Sequence, residues 1–225
     1  MRGRIANSRR AAAERAGQLR GRLRGRRQTS PRSVIAFCPS LWGGKDWPSA
    51  AYSPKTRLVY VPAQNNFCGS FVGAKEPLEP GKLWLGTKEE DILLTERPGS
   101  DHFGELQAWD PATGKKAWQH NFRWQLMATV LATGGDLVFV GGTNDRMFRA
   151  FDAKTGDLLW EQKTNSGVTG APVAYEVDGT EYIAVQSGWG VDAERIQDKL
   201  AKANIGVSDN VPQGGVVWVF KVKQP

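Results

Sequence analysis

Two residue types that build metal and redox sites are scarce in this 225-residue chain, which has two cysteines (Cys38, Cys68) and two histidines (His102, His120). None falls in a Cys-x-x-Cys, Cys/His or Cys-x-x-Cys-His pattern, which argues against a zinc site and against covalently attached haem. No stretch is apolar for long enough to span a membrane, and the first residues lack the apolar core of a secretory signal. Lysine is absent from residues 1–33, which hold eleven Arg and a single acid, Glu14. The rest of the chain carries 19 Lys+Arg against 22 Asp+Glu, so the net charge of +7 resides in the arginine-rich head and the remainder is mildly acidic. Read as a composition, that head fits a transit peptide, a basic arm for nucleic acid or anionic lipid, a disordered leader, or translated GC-rich sequence that is not native coding. No aromatic or folded motif accompanies the arginines, which speaks against nucleic-acid recognition. Residues 1–33 are therefore set apart as a disordered or non-native leader. The two cysteines leave two readings open, a disulfide across a β-hairpin in an oxidising compartment or a pair of buried thiols.

What is abundant is tryptophan and glycine, nine and 26 residues, a composition that suits an all-β protein with many tight turns. One pattern is written twice. Ala108, Asp110, Thr113, Gly114 and Trp118 recur as Ala150, Asp152, Thr155, Gly156 and Trp160, each 42 positions later. A fixed period near 40 with a turn and a tryptophan in each copy marks propeller blades. Asp-x-x-Thr-Gly supplies side-chain acceptors for the turn amides and a glycine that tolerates positive φ. The following Trp can wedge between neighbouring sheets. Asp110 and Asp152 therefore read as turn formers with no catalytic role, and Trp118 and Trp160 as structural.

Around this repeat, Ala50–Ser53 and Leu58–Val61 read as a hairpin over residues 54–57, and residues 65–103 as an irregular excursion between blades. Leu137–Val140 is a buried strand, and Val173–Tyr175 and Tyr182–Val185 flank an Asp178-Gly179 turn. Asp192 can cap a short helix to about Ala203 with Ile196 and Leu200 on one face. Val216–Val222 is apolar almost throughout and needs partners on both sides. From Val34 onward there is length for about four blades at roughly 40–50 residues each.

The run Cys38-Pro39-Ser40-Leu41-Trp42-Gly43-Gly44-Lys45-Asp46-Trp47, with Tyr60-Val61-Pro62-Ala63, the paired Asp-x-x-Thr-Gly…Trp blades and Gln213–Phe220, resembles the pyrroloquinoline-quinone (PQQ)-dependent methanol and ethanol dehydrogenases. The resemblance covers about Phe37 to Val222. It implies an all-β fold of antiparallel propeller blades, three to four of the eight in such an enzyme. Residues 34–225 would be its C-terminal blades. It further implies periplasmic oxidation of a primary alcohol to the aldehyde, with hydride transfer to PQQ beside Ca²⁺ or a lanthanide, and a separate electron acceptor such as cytochrome c. Asp46 and Trp47, and the loop Gly188-Trp189-Gly190, match a cofactor wall, while Met127 stands where relatives carry a channel-facing Trp. Cys38 and Cys68 match a pair that is disulfide-bonded in some relatives. Asp46 also reads as a turn cap, and Trp47 and Trp189 as core aromatics. The family's metal ligands and catalytic Asp have no counterpart here, so the chain is expected to be inactive alone, and without an export signal to stay in the cytoplasm. Open blade edges are expected to self-associate. The competing reading is a non-enzymatic propeller scaffold.

Overall fold

The computed structural model describes residues 34–225 apart from 74–76, 89–90, 189–190, 204, 206–210 and 223–225, with backbone alone at 35 and 191–195. The arginine-rich head and Trp189-Gly190 lie outside the described residues. The chain divides into two compact units. The larger holds Ala36–Phe71 and Glu90–Pro225, and the smaller includes Val72–Glu89. In the smaller unit Leu78, Leu83, Trp84 and Leu85 are exposed, and Thr87 Oγ1 donates to Val72 O at 2.6 Å.

The described elements are β1 (Val34–Phe37), β2 (Ala51–Ser53), β3 (Leu58–Ala63), β4 (Phe67–Val72), β5 (Leu93–Glu96), β6 (Gly104–Asp110), β7 (Lys115–Phe122), β8 (Leu131–Ala132), β9 (Leu137–Gly141), β10 (Met147–Asp152), β11 (Leu158–Lys163), β12 (Val173–Val177), β13 (Thr180–Ser187), α1 (Val191–Lys202) and β14 (Val216–Lys221). They form four sheets: β2-β3-β6-β7, β8-β9-β10-β11, β12-β13-β14 and β1-β4-β5. Strands pair antiparallel in the ladders β2-β3, β3-β6, β6-β7, β8-β9, β9-β10, β10-β11, β12-β13, β13-β14 and β4-β5. The excursion at 65–103 is more ordered than its composition predicts, since β4 and β5 pair within it. Cys38 and Cys68 form a disulfide. It does not bridge a tight hairpin, because β2 and β3 intervene between the neighbouring strands β1 and β4.

The central sheet explains why its strands lack a polar face. Successive side chains point to opposite faces of a strand. On β9 and β10, Val138, Val140 and Phe151 pack against Tyr60, Leu106, Ala108 and Phe122 of the first sheet. Phe139, Phe148 and Ala150 face the other way, towards Ile183 and Val185 of β13 and the rings of Trp218 and Phe220 on β14. A strand covered on both sides reads as a continuous apolar run.

The repeat is the joint between the first two sheets. Asp110 Oδ1 accepts from the amides of Ala112 (2.8 Å) and Thr113 (3.4 Å), and Asp152 Oδ1 from those of Lys154 and Thr155 (both 2.8 Å). Hydrogen bonding holds both carboxyls below the usual range, chiefly from the Thr113 side chain at Asp110 and from the Thr155 amide at Asp152. Trp118 on β7 lies flat over the second turn. A Cβ on Gly156 (φ 79°) would sit 2.6 Å from Trp118 Cδ2. Trp118 Nε1 donates to Ala153 O at 3.1 Å, and Tyr60 Oη donates to the same carbonyl at 2.9 Å. The first turn receives no such ring, for Gly114 (φ 68°) has nothing within 4 Å of a Cβ position. Trp160, the repeat partner of Trp118, is 38% exposed and meets Phe148 and Phe220 edge-on. The third sheet presents it with no second Asp-x-x-Thr-Gly turn.

Among the described residues strand β14 pairs with β13 alone, not on both sides as its apolar sequence implies. Val217 and Val219 are 67% and 51% exposed, as are Val173, Tyr175 and Val177 of β12 to a similar degree. By register these five residues share the face turned away from the central sheet.

Candidate functional site

In antiparallel sheets the connections alternate between two ends. The tight turns at 54–57, 111–114 and 153–157 lie at one end. The longer connections 38–50, 64–66, 123–130, 142–146 and 164–172, with Gly188 after β13, lie at the other, and the described candidate cofactor residues Asp46, Trp47 and Gly188 fall among them.

The Gly43-Gly44-Lys45-Asp46-Trp47 loop is held by its own polar groups. Lys45 Nζ donates to Asp46 O (2.9 Å) and Pro48 O (2.8 Å), and Asp46 Oδ1 accepts from the Trp47 amide at 2.8 Å. That last bond, to the amide of the next residue, occupies one carboxylate oxygen of Asp46. The Trp47 ring is 53% exposed and is therefore no core aromatic. Gly188 forms a bridge with Val168 and donates its amide to Gly167 O at 2.8 Å.

A chain of contacts links these two pieces. The Gln64 amide donates to Gly44 O (2.8 Å), and Gln64 Nε2 reaches Met127 Sδ (3.1 Å). Two residues before Met127, Gln125 O accepts from Thr143 Oγ1 (2.9 Å). The Val168 amide then donates to Gly142 O (2.8 Å), beside Gly167 and Gly188. Met127 itself is 1% exposed and packed with Phe67, Leu94, Phe103, Ile196 and Leu200. It is a core residue, and α1 covers it with the face that its periodicity predicts.

Sequence reasoning missed three residues in this row. Gln64, Gln125 and Ser166 are at most 2% exposed. Among the described residues, Gln64 Oε1, both amide atoms of Gln125 and Ser166 Oγ have no hydrogen-bond partner. Burying a polar group without a partner is unfavourable, so orphans gathered at one end of a fold point to a polar guest.

A second network, also invisible in sequence, braces the loop from outside. Glu105, 5% exposed, accepts from Asn65 (3.0 Å), from Asn66 (3.5 Å) and from Gln107. His102 lies between Glu105 Oε1 (3.1 Å) and Asp101 Oδ1 (2.6 Å), and its hydrogen bond holds the Asp101 carboxyl below the usual range. Asn65 Oδ1 in turn abuts Gly44, where a Cβ would come within 2.6 Å of it. A cleft of about 400 Å³ opens over this network, with Cys38, Arg97 and Lys116 on its walls. Among the described residues no three His, Cys, Asp or Glu side chains converge to hold a metal ion.

Residues 103–183 match the family model described as PQQ: glucose/ethanol/alcohol dehydrogenase, beta-propeller domain. The quinoprotein ethanol dehydrogenase of Pseudomonas putida is 41% identical over 188 residues, covering 84% of this chain and 29% of that protein. Over 84% of its length the chain is similar to the PQQ-dependent alcohol dehydrogenases. Another quinoprotein relative, the lanthanide-dependent methanol dehydrogenase of Methylacidiphilum fumariolicum, is 36% identical over 156 residues, 68% of this chain and 25% of that protein. A solved europium-containing methanol dehydrogenase superposes with a TM-score of 0.74 at 30% identity, over 84% of this chain and 35% of that one. The sheets described above are thus antiparallel blades of a quinoprotein propeller. The chain spans less than a third of the length of these two curated quinoproteins.

The residues present fit a quinone guest in one respect that geometry alone supplies. Buried amide and hydroxyl groups without partners lie between the Asp46-Trp47 loop and the Gly188 loop. They offer both donors and acceptors to a flat, oxygen-rich molecule. The assignment of Trp189 and Gly190 falls outside the described residues.

Proposed function

We propose that this chain is the C-terminal part of a PQQ-dependent alcohol dehydrogenase and forms one wall of its cofactor site. The observation that carries the reading is the 41% identity with a quinoprotein ethanol dehydrogenase, which extends across the loops at the candidate end. Residues 34–225 contribute the blades, and Asp46, Trp47, Gly188, Trp189 and Gly190 the wall. When bound, PQQ supplies an electrophilic carbonyl that accepts hydride from the carbinol carbon of a primary alcohol, yielding the aldehyde. This chain's part is to orient and to exclude water. Lys45 fixes the loop carbonyls, and Trp47 offers an aromatic face. The Glu105 network keeps the loop from shifting outward. The Ca²⁺ or lanthanide ligands and the base that takes the alcohol proton are assigned to the remainder of the family's length, so the chain alone is inactive. A periplasmic location and a cytochrome c acceptor belong to the same reading.

The exposed face of β12-β13-β14 favours a further role in association. Five exposed apolar side chains there supply a surface on which additional blades, or a second copy, can pack. That face is also what a non-enzymatic scaffold would use.

Titration of the purified chain with PQQ in the presence of Ca²⁺ or La³⁺, read by tryptophan fluorescence and followed by dye-linked ethanol oxidation, tests the proposal. Saturable PQQ binding without turnover is expected. Absence of binding by demonstrably folded protein would leave the scaffold reading, and turnover would refute the assignment of the catalytic groups elsewhere.

A further inference from the structure

The structure assigns Gln64, Gln125 and Ser166 as direct polar contacts of the bound quinone, an inference that rests on the cofactor reading above. Six buried side-chain polar atoms lack a partner among the described residues, and four of them belong to these three side chains: Gln64 Oε1, Gln125 Nε2, Gln125 Oε1 and Ser166 Oγ. Scattered orphans are expected as occasional imperfections of a core, but orphans concentrated in one row of loops need a common cause. The row is defined by hydrogen bonds. Gln64 is tied by its amide to Gly44 of the Asp46-Trp47 loop and by Nε2 to Met127. Ser166 is held by its amide against Ser187 Oγ (3.2 Å), and Ser187 Oγ donates to Ser166 O (2.9 Å), one residue before Gly188. Gln125 lies between them, anchored through its carbonyl by Thr143. The two candidate walls are thus joined through the residues whose side chains are unsatisfied.

The donor and acceptor balance specifies the guest. Gln125 Nε2 needs an acceptor, Gln64 Oε1 and Gln125 Oε1 need donors, and Ser166 Oγ takes either. A molecule that satisfies the set must present both kinds of group around a compact frame. PQQ does so, with quinone and carboxylate oxygens as acceptors and a pyrrole N–H as donor. A primary alcohol has a single hydroxyl and cannot serve four such atoms. Charged side chains are absent from the three positions, so the contacts would set the cofactor's orientation rather than neutralise its charge.

The test uses the full chain, with PQQ plus Ca²⁺ as the probe. Gln125→Leu removes an amide that is unsatisfied without ligand, so the unliganded variant is expected to melt at the same temperature or higher, while PQQ binding weakens at least tenfold. Thr133→Val provides the control. Thr133 Oγ1 is likewise buried and unpartnered but lies in the turn at the opposite end, and its loss is expected to leave PQQ affinity unchanged. Gln64→Leu and Ser166→Ala carry the same comparison should Gln125→Leu fail to fold. If wild type binds PQQ and the three variants bind it equally well, the side chains hold ordered water only and the inference is overturned. If wild type does not bind, the cofactor reading falls and this inference with it.

Discussion

Gly114 and Gly156 occupy the same place in the two repeats, have the same left-handed backbone, and differ in one respect only. Gly156 is covered by the Trp118 ring, whereas Gly114 faces open space. Alanine at either position forces an L-residue into the left-handed region at a cost of about 1–2 kcal/mol. At Gly156 the added methyl would also lie 2.6 Å from Cδ2 and 2.7 Å from Cε3 of Trp118. Relieving that overlap displaces the ring and stretches its bond to Ala153 O, a further cost of about 1–3 kcal/mol. We therefore expect Gly114→Ala to destabilise by about 1–2 kcal/mol and Gly156→Ala by about 2–5 kcal/mol. Equilibrium urea unfolding, followed by circular dichroism and tryptophan fluorescence, measures both. The double variant Trp118→Ala/Gly156→Ala should recover the difference, because without the ring only the backbone strain is left at position 156. A gap between the two single variants smaller than about 0.5 kcal/mol, the usual scatter of additivity, would refute the joint as described.

Tyr60→Phe removes one of two donors on Ala153 O and should cost about 0.5–1.5 kcal/mol by the same unfolding assay. Reducing the Cys38–Cys68 disulfide, which closes 30 residues, should lower stability by about 3–4 kcal/mol on the loop-entropy model, seen as a lower melting temperature in dithiothreitol. The folded pKa values of Asp110 and Asp152 lie below their unfolded value of 3.8, so their stabilisation is present above that pH. It is lost as pH falls through the lower folded values, and a melting series from pH 5 to pH 2 should show this loss shrink in Asp152→Asn. Burial, with Arg149 nearby, holds the His120 imidazole below its ordinary 6.5, against a weaker opposing pull from Glu161. The unfolded chain then takes up the proton first, and stability should begin to fall below pH 6.5. A His120→Phe variant should show a flatter profile between pH 7 and pH 5.

Turn chemistry and period were legible in the sequence because they are local. Asp-x-x-Thr-Gly dictates its own hydrogen bonds, and a 42-residue spacing places Trp118 over the next turn whatever else surrounds it. The same logic misleads at Trp160, whose role depends on what the neighbouring sheet presents. Strands β4 and β5 were hidden because Phe67-Cys68-Gly69-Ser70-Phe71-Val72 mixes small and large residues without alternation. The polar residues of the site were the least visible. Nothing in the neighbourhood of Gln64, Gln125, Ser166 or Glu105 in the chain announces burial. They are brought together by loops that belong to different blades, and only their missing or crowded hydrogen bonds mark them.

Because each blade touches only its neighbours, cooperativity in this chain should run as in a row of dominoes. The central sheet is clamped from both sides, with Val138, Phe139, Val140, Phe148 and Phe151 each at most 5% exposed. The third sheet is gripped on one side, and all five residues of β12 are exposed. Amide exchange should therefore be slowest in β9 and β10 and fastest at β12. Opening should start from that free end and travel inward, so the Gly188 side of the candidate wall would be lost before the Asp46-Trp47 side.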